Sequence, residues 1–297
     1  MSRELAFIEA LRRMARHPAA RHLDDDCAVL EVGGETLILT HDMMAEGVHF
    51  LSGQDPADVA WKLVTVNISD LAAKGAEPLG VMLGYMFGKD DARFLEGLEE
   101  ALRHYGAPLL GGDTISGNGP QTLGLTAIGR ATHCPVPSRS GARPGDTLYI
   151  TGPVGKAMMG CEALRTGDRG ANGDDSAAYR RPLALLAQGQ ALAPHVSAMM
   201  DVSDGVLLDA SRMARASGVT IDIASAAVPI SAPEDRRADA LRWGDDYQLL
   251  FAAPHGVSLP VEAWPIGKIT PLAAQAQPLL LDGSPAGDRE RLGYQHD

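Results

Sequence analysis

The sequence predicts a two-domain α/β or α+β protein, and three observations carry that expectation. The first half alternates β-rich and helix-periodic runs in the order β-β-α-β-α-β, with Gly/Pro-rich connections. The stretch CPVPSRSGARPGD, residues 134–146, holds three prolines and two glycines, and it is the expected boundary between a domain of residues 1–136 and one of residues 137–297. The length of 297 residues allows two cores, since a domain takes roughly 150 residues.

The elements follow in order. Leu5, Ile8, Leu11 and Met14 recur at helical spacing, which predicts a helix over residues 4–16. The runs CAVLEV and TLILT flank Gly33-Gly34, a hairpin signal. Asp55 then stands as an N-cap, Pro56 at the first helical position and Asp58 in the first turn; Val59, Leu63 and Val66 form the apolar stripe, and Gly75 ends the helix. Asn67 and Asp70, three residues apart on that helix, share a face. LGVMLGYMF reads as a strand, and Asp91 to Tyr105 as a helix with Phe94, Leu98, Leu102 and Tyr105 on its apolar side. APLLGG, QTLGLTAIGRA and DTLYITG read as strands. GDRGANGDDS, residues 167–176, reads as a flexible excursion. VSAMMDVSDGVLLDASRMARASG reads as strand, turn and helix, with Ser203 as N-cap and Gly218 as stop.

Composition narrows the function. With 45% hydrophobic and 22% charged residues, the chain reads as a soluble globular protein with no run long enough to span a membrane. A net charge of −12 argues against nucleic acid as a partner, because phosphate backbones attract basic surfaces. Cys27, Cys134 and Cys161 have no metal-ligand spacing and are odd in number; Cys27 reads as a small buried residue. The opening segment MSRELAFIEALRRMARH lacks the apolar core of a secretory signal. A reduced, cytoplasmic setting is therefore expected.

Standard phosphate loops are absent. TGPVGKA lacks the upstream glycine of a P-loop and the hydroxyl after Lys156. No GxGxxG follows a strand, and no kinase, zincin or hydrolase signature is present. What stands out instead is a set of aspartates at the ends of apolar runs: Asp42, Asp70, Asp113, Asp201 and Asp204, less regularly Asp245 and Asp246, with Asp24, Asp25 and Asp26 ahead of CAVLEV. Singly, each is an ordinary cap or turn residue. As a set they read as an acidic basin that divalent cations would fill, pointing to a metal-chelated phosphate substrate. Ser203-Asp204-Gly205 opens a helix whose N–H groups suit a phosphate. The two glycines of LGGDT let the backbone approach a ligand beside Asp113. His49 by itself reads as a structural histidine. Arg139 is either a solvated loop charge or a phosphate contact.

Taken in order, DDDCAVL, THDMMAEGVHF, KLVTVNISDLAAKGA, LLGGDT, SRSGARPGDTLYITG, MDVSDGVLLD and WGDDYQLLF resemble the thiamine-monophosphate kinase family. Its superfamily includes aminoimidazole ribonucleotide synthetase, selenophosphate synthetase and the hydrogenase maturation protein HypE. The resemblance runs from about residue 23 to residue 251, and the terminal GYQHD is similar to the family's last residues. It implies transfer of the ATP γ-phosphoryl group to thiamine monophosphate with several Mg2+ ions and no phosphoenzyme. It also implies a two-domain fold like that of aminoimidazole ribonucleotide synthetase, with N-terminal sheets of two chains joined in a homodimer. Carried over, Asp26, Thr40, Asp42, Asp70, Asp113, Asp201 and Asp204 would be metal ligands; Gly112, Asp113, Arg139 and Ser203 would contact ATP; His49 and Asp245 would contact the substrate. A phosphate acceptor is already ionised, so no general base is expected.

The chain departs from the family pattern in three places. Gly244-Asp245-Asp246-Tyr247-Gln248 stands where Gly-Glu-Asp-Tyr-Glu is usual. His41 replaces the usual Thr before Asp42. The C-terminal aromatic that would stack on thiamine has Tyr294 as its nearest counterpart. The alternatives are a related enzyme such as aminoimidazole ribonucleotide synthetase, or a non-catalytic nucleotide- and Mg2+-binding regulator; selenophosphate synthetase is disfavoured because no N-terminal Cys segment is present.

Overall fold

Two sheets organise the chain. In the computed structural model, residues 3–167, 176–274, 277–287 and 291–294 are described. The excursion expected at 167–176 falls largely on residues 168–175, and the last three residues of GYQHD are 295–297; both lie outside that set.

Helix α1 (Arg3–Arg12) stops earlier than its apolar spacing suggests. Met14, expected on the buried stripe, is 69% exposed. A proline-led 3-10 segment (Pro18–Leu23) follows, with Arg21 and His22 in the left-handed region.

The first sheet comprises β1 (Ala28–Val32), β2 (Glu35–Ala45), β3 (Ala76–Met86), β4 (Leu109–Ile115) and β5 (Thr122–Ala131), in the order β1-β2-β5-β3-β4. Neighbours are antiparallel except β3 and β4, which are parallel because helix α3 (Asp91–Tyr105) crosses between them. Helix α2 (Pro56–Ala73) packs on one face of the sheet. Its N-terminus is as expected: the Asp55 carboxylate accepts the Ala57 N–H at 3.0 Å, and Pro56 opens the helix. Apart from Pro56 and Asp70, every residue of α2 is buried, polar ones included. The three-residue stripe read from the sequence describes only one of its sides; α3, α5 (Ala177–Arg180), α6 (Leu186–Leu192) and β7 (Ala198–Asp201) cover the others.

The second sheet has the order β12-β11-β8-β10-β6-β9-β7. Besides β7 it contains β6 (Asp146–Ile150), β8 (Val219–Ile223), β9 (Leu249–Pro254), β10 (Trp264–Pro271), β11 (Leu279–Leu281) and β12 (Ser284–Pro285). Helix α7 (Val206–Ser217) contributes Val206, Leu207 and Met213 to the core on one face. On the other, Ala72 and Ala73 of α2 pack with Tyr149, Met199 and Phe251, so α2 is shared by both cores. Helix α4 (Lys156–Thr166) and the short α8 (Arg237–Ala240) flank this half. Residues 132–145 run between the sheets and belong to neither. Among the described residues, no helix is long and apolar enough to cross a membrane.

Candidate active site

Helix α2 brings the two halves to one point. Asp26 lies in the loop before β1, Asp70 in the last turns of α2, and Asp201 at the end of β7. One carboxylate oxygen from each lies within 4.8 Å of the others. Each acid is fixed by a neighbour: Ser69 Oγ donates to Asp201 at 2.6 Å, Thr40 Oγ1 donates to Asp70, and the Arg139 guanidinium donates to Asp26. Asp42 stands beside them, its backbone N–H donating to Asn67 Oδ1 at 3.0 Å. Asn67 and Asp70 thus act from one helix face, as their spacing predicts. Asp42, by contrast, sits inside β2 rather than at its end, because the strand runs on to Ala45.

Crowded acids in a buried place resist ionisation. Burial, reinforced by Asp26, pushes Asp42 up to about 6. Burial with Asp42, Asp201 and Asp26 around it holds Asp70 well above the carboxylate range, against the opposing Thr40 bond. Asp201 is pushed up to about 8 by burial and by Asp26, against the Ser69 bond. Positive charge answers part of this. The Lys74 ammonium, wholly buried at the end of α2, lies 2.5 Å from Asp25 Oδ1 and from Asp26 Oδ2. Burial alone would raise Asp25, but Lys74 and Arg21 override it and hold that carboxyl well below its ordinary range. The approach to Asp26 Oδ2 lacks hydrogen-bond alignment, and that oxygen has no hydrogen-bond partner among the described residues. A short-armed, oxygen-only set of converging carboxylates fits a hard divalent cation such as Mg2+.

The cluster forms one wall of a cavity of about 900 Å³. Asp26, Asp42, Asp70, Asp201, Asp204, Arg139, Ser203, His49 and Asp245 all line it, while Thr40 sits behind Asp70. Arg139 is not a solvated loop charge: its side chain is mostly buried, and its Nε has no acceptor among the described residues. Ser203 is not the helix cap. The N-cap is Gly205, with no side-chain cap bond, and Asp209 from the first turn of α7 accepts the Asp204 N–H at 3.1 Å. This leaves the Ser203 side chain on the cavity wall. Arg212 bridges Asp204 and Asp209. Tyr294 also lines the cavity, its N–H bonded to the Asp204 carbonyl at 3.0 Å.

His49 and Asp245 line the same cavity. His49 Nδ1 accepts the Ala45 N–H at 3.0 Å, so this imidazole shapes its own turn as well as facing the cavity. Asp245 accepts from Lys62 Nζ and from the Tyr247 hydroxyl, both at 2.8 Å. Asp246 turns away and accepts the N–H groups of Gly155 and Ala157. A carboxylate thus occupies the start of α4, so TGPVGKA is structurally as well as chemically unlike a phosphate loop.

Gly112 and Asp113 are not brought to the cluster within one chain. They lie on β4, an exposed edge strand, and do not line the cavity. A Cβ on Gly112 would fall 2.0 Å from the Leu83 carbonyl oxygen, so this glycine serves the approach of β4 to β3. Sequence reading gave no role to Lys62, Lys74, Arg212 or Tyr179. Only the unusual placement of two lysines inside an apolar helix pattern could have signalled the first two.

Comparison with known proteins bears on the arrangement as a whole. Residues 24–131 match the AIR synthase related protein, N-terminal domain, and residues 143–272 match the AIR synthase related protein, C-terminal domain. The thiamine-monophosphate kinase of Escherichia coli (strain K12) is 35% identical over 261 residues, covering 82% of this chain and 79% of its own. That of Caulobacter vibrioides is 37% identical over 272 residues, covering 86% and 76%. The solved structure of AaThiL complexed with AMPPCP and TMP has a TM-score of 0.86 at 27% identity, covering 96% of this chain and 95% of the other.

Proposed function

The chain belongs to the thiamine-monophosphate kinase family, and we propose that it transfers the γ-phosphoryl group of ATP in line to the phosphate of thiamine monophosphate, giving thiamine diphosphate and ADP. Kinase activity on thiamine phosphate follows from membership. The direct, Mg2+-assisted route rests on one observation: three buried carboxylates from separate elements converge within 4.8 Å on the wall of a cavity large enough for two phosphorylated ligands. AaThiL, complexed with AMPPCP and TMP, shares this fold along nearly its whole length.

Asp26, Asp42, Asp70, Asp201 and Asp204 would hold Mg2+, with Thr40 supporting Asp70. Bound Mg2+ would supply charge neutralisation where two polyanions meet. The chain's own groups do the rest by positioning. The buried Arg139, whose Nε has no acceptor among the described residues, is set to receive a phosphate oxygen of ATP, and Ser203 offers its hydroxyl on the same cavity wall. His49 and Asp245 bound the acceptor end. No side chain need take a proton, because the attacking phosphate oxygen is ionised near neutral pH.

The reading divides the chain after residue 136 and places the enzyme in the cytoplasm, where its nucleotide donor is found. It also makes it a homodimer. One face of the first sheet is covered by α2; the other leaves Met43 and Met82 exposed, and the β4 edge leaves Leu109, Leu110 and Ile115 exposed. Asp113 lies three strand positions from Asp42, roughly 14 Å at the usual strand spacing, so contacts from Gly112 and Asp113 to ATP and metal are ones that joined sheets would make. The test is an acceptor screen with labelled ATP and Mg2+ over thiamine monophosphate, free thiamine and aminoimidazole precursors. Label moving to another acceptor but never to thiamine monophosphate overturns the reading; ATP binding without turnover on any acceptor would mark a regulator.

A further inference from the structure

We infer that Lys62 is a positioning residue for the phosphoryl acceptor, joining the two walls of its end of the cavity through one buried ammonium. The inference rests on the thiamine monophosphate reading and adds a residue and a role to it.

Lys62 lies in the middle of α2, with its side chain 1% exposed. Its Nζ donates to Asp245 Oδ2 at 2.8 Å and to the His49 carbonyl at 3.0 Å, and it sits 4.0 Å from the centre of the Tyr179 ring. An ammonium has three N–H groups. Two are committed to oxygens and the third side of the group faces the ring, an attractive placement for a cation. No donor is left for a phosphate of a bound ligand, although the residue borders the cavity.

Its influence therefore passes through the groups it holds. Asp245 belongs to the second half of the chain and His49 to the turn after β2. Lys62 ties the carboxylate of one to the backbone of the other, and the Tyr179 hydroxyl closes the same knot by donating to the His49 carbonyl at 3.2 Å. Asp245 sits at a positive φ of 65° and Tyr247 at 50°, conformations that persist where surroundings hold them. The Lys62 ion pair and the Tyr247 hydroxyl, one on each oxygen, hold the Asp245 carboxylate, while its backbone N–H bonds to the Ser203 carbonyl at 2.9 Å. Loss of Lys62 leaves the carboxylate held by Tyr247 alone and the His49 carbonyl with the Tyr179 hydroxyl in place of two donors. Among the described residues, the polar partners of Lys62 are Asp245 and the His49 carbonyl, not Arg139, Ser203 or the clustered aspartates.

The test is a double-mutant cycle of Lys62→Met with Asp245→Asn, in full-length enzyme with Mg2+, reading KM for each substrate separately. Lys62→Met is expected to raise KM for thiamine monophosphate about tenfold, with KM for ATP changed less than about twofold; in the Asp245→Asn background the added effect of Lys62→Met shrinks below about twofold, as coupled residues require. Calorimetric titration of thiamine monophosphate into enzyme with AMPPCP and Mg2+ should show the same loss of binding. Lys62→Gln, which keeps one donor for the His49 carbonyl, serves where the Met variant does not melt cooperatively, and should fall between wild type and Met. Equal rises in both KM values, or additive effects in the cycle, overturn the inference. A wild-type enzyme that makes no thiamine diphosphate overturns the proposed function instead.

Discussion

Ser69 Oγ donates to Asp201 Oδ2 at 2.6 Å, with both side chains buried. The bond crosses from the helix on the first sheet to the last residue of an edge strand in the second, so one hydroxyl fixes a proposed metal ligand and pins the halves together. Removing one partner of a buried hydrogen bond leaves the other unsatisfied, which costs about 1–3 kcal/mol. Ser69→Ala should lower unfolding free energy by about that amount, read by urea denaturation. Because the bond is one of the influences holding the Asp201 pKa down, its loss should also weaken divalent-cation affinity at neutral pH, read by Mn2+ titration. Unchanged Mn2+ affinity would remove Asp201 from the ligand set.

Stability should depend on pH in a way that cations reverse. Asp42, Asp209, Asp246 and Asp201 have folded pKa values raised to about 6, 7, 7 and 8, each chiefly by burial. In the unfolded chain they titrate near the ordinary carboxyl value of 3.8. The folded state therefore binds more protons than the unfolded one between these values, and stability falls as pH rises. The contribution is fully present below about pH 4 and is lost progressively through pH 6 to 8. Asp25 has the opposite sign, but only below its unfolded value. Melting temperature in EDTA should drop from pH 5 to pH 8. Mg2+ should flatten the slope, since bound cations favour the ionised acids. A melting temperature that rises over this range in EDTA would show the acids ionised without a cation.

What could be read from the sequence was local. Asp55, Pro56 and Gly75 mark the ends of α2 because caps depend on neighbours in the chain, and the Asp91–Tyr105 helix is found to the residue. The gathering of Asp26, Asp42, Asp70, Asp201 and Asp204 on one cavity was legible as a set, whereas Asp113, which reads alike in the sequence, lies on the exposed β4 edge. Tertiary facts were not legible. Met14 keeps the spacing of a core residue but meets no core. Ser203 has the side chain of a cap but lies too far before α7, and Gly205 takes the place. Lys62 and Lys74 look like solvent residues on a helix until the second half of the chain covers them.

Lys74 illustrates the cost of such burial. Burial works against its charge, and Asp25 and Asp26 more than offset that, holding it protonated. Removing one partner of a buried pair costs about 3–5 kcal/mol, because the other charges remain. Lys74→Met should destabilise by about that much in EDTA, and Mg2+ should restore part of it by supplying the missing positive charge to Asp26. Calorimetric melts with and without Mg2+ check both statements. Equal destabilisation in the two conditions would separate Asp26 from the cation site.

Gly244 precedes Asp245 where the chain crosses the turn after β7. A Cβ there would come 2.0 Å from the Ser203 carbonyl oxygen, while the Asp245 N–H bonds to that same carbonyl at 2.9 Å. Gly244→Ala must therefore push apart the segment carrying the acceptor contact and the one carrying the proposed ATP contact. Displacements near 1 Å in positioned sites cost about 10²-fold in rate. The expected result is a loss of kcat/KM of about that size for both substrates, with a cooperative melt retained. Full activity would show that the two segments need not keep their registry.

The uncovered face of the first sheet sets the last expectation. Met43 pairs in register with Gly124, and Met82 with Thr126. Successive residues of a strand alternate faces, so these side chains stand opposite α2. Met43 and Met82 are exposed there, and Leu109, Leu110 and Ile115 continue the apolar surface along the β4 edge. An open sheet face beside an unpaired edge strand is an association surface, and two copies of one chain would bury it about a twofold axis. Met82→Asp places a charge in that face without touching the α2 side. If the proposed dimer forms, this substitution should shift it to monomer in sedimentation velocity. If Gly112 and Asp113 act only when sheets join, turnover should fall with the dimer fraction and recover at high protein concentration. A monomeric Met82→Asp enzyme with full activity would confine the site to one chain and leave Asp113 without a role in it.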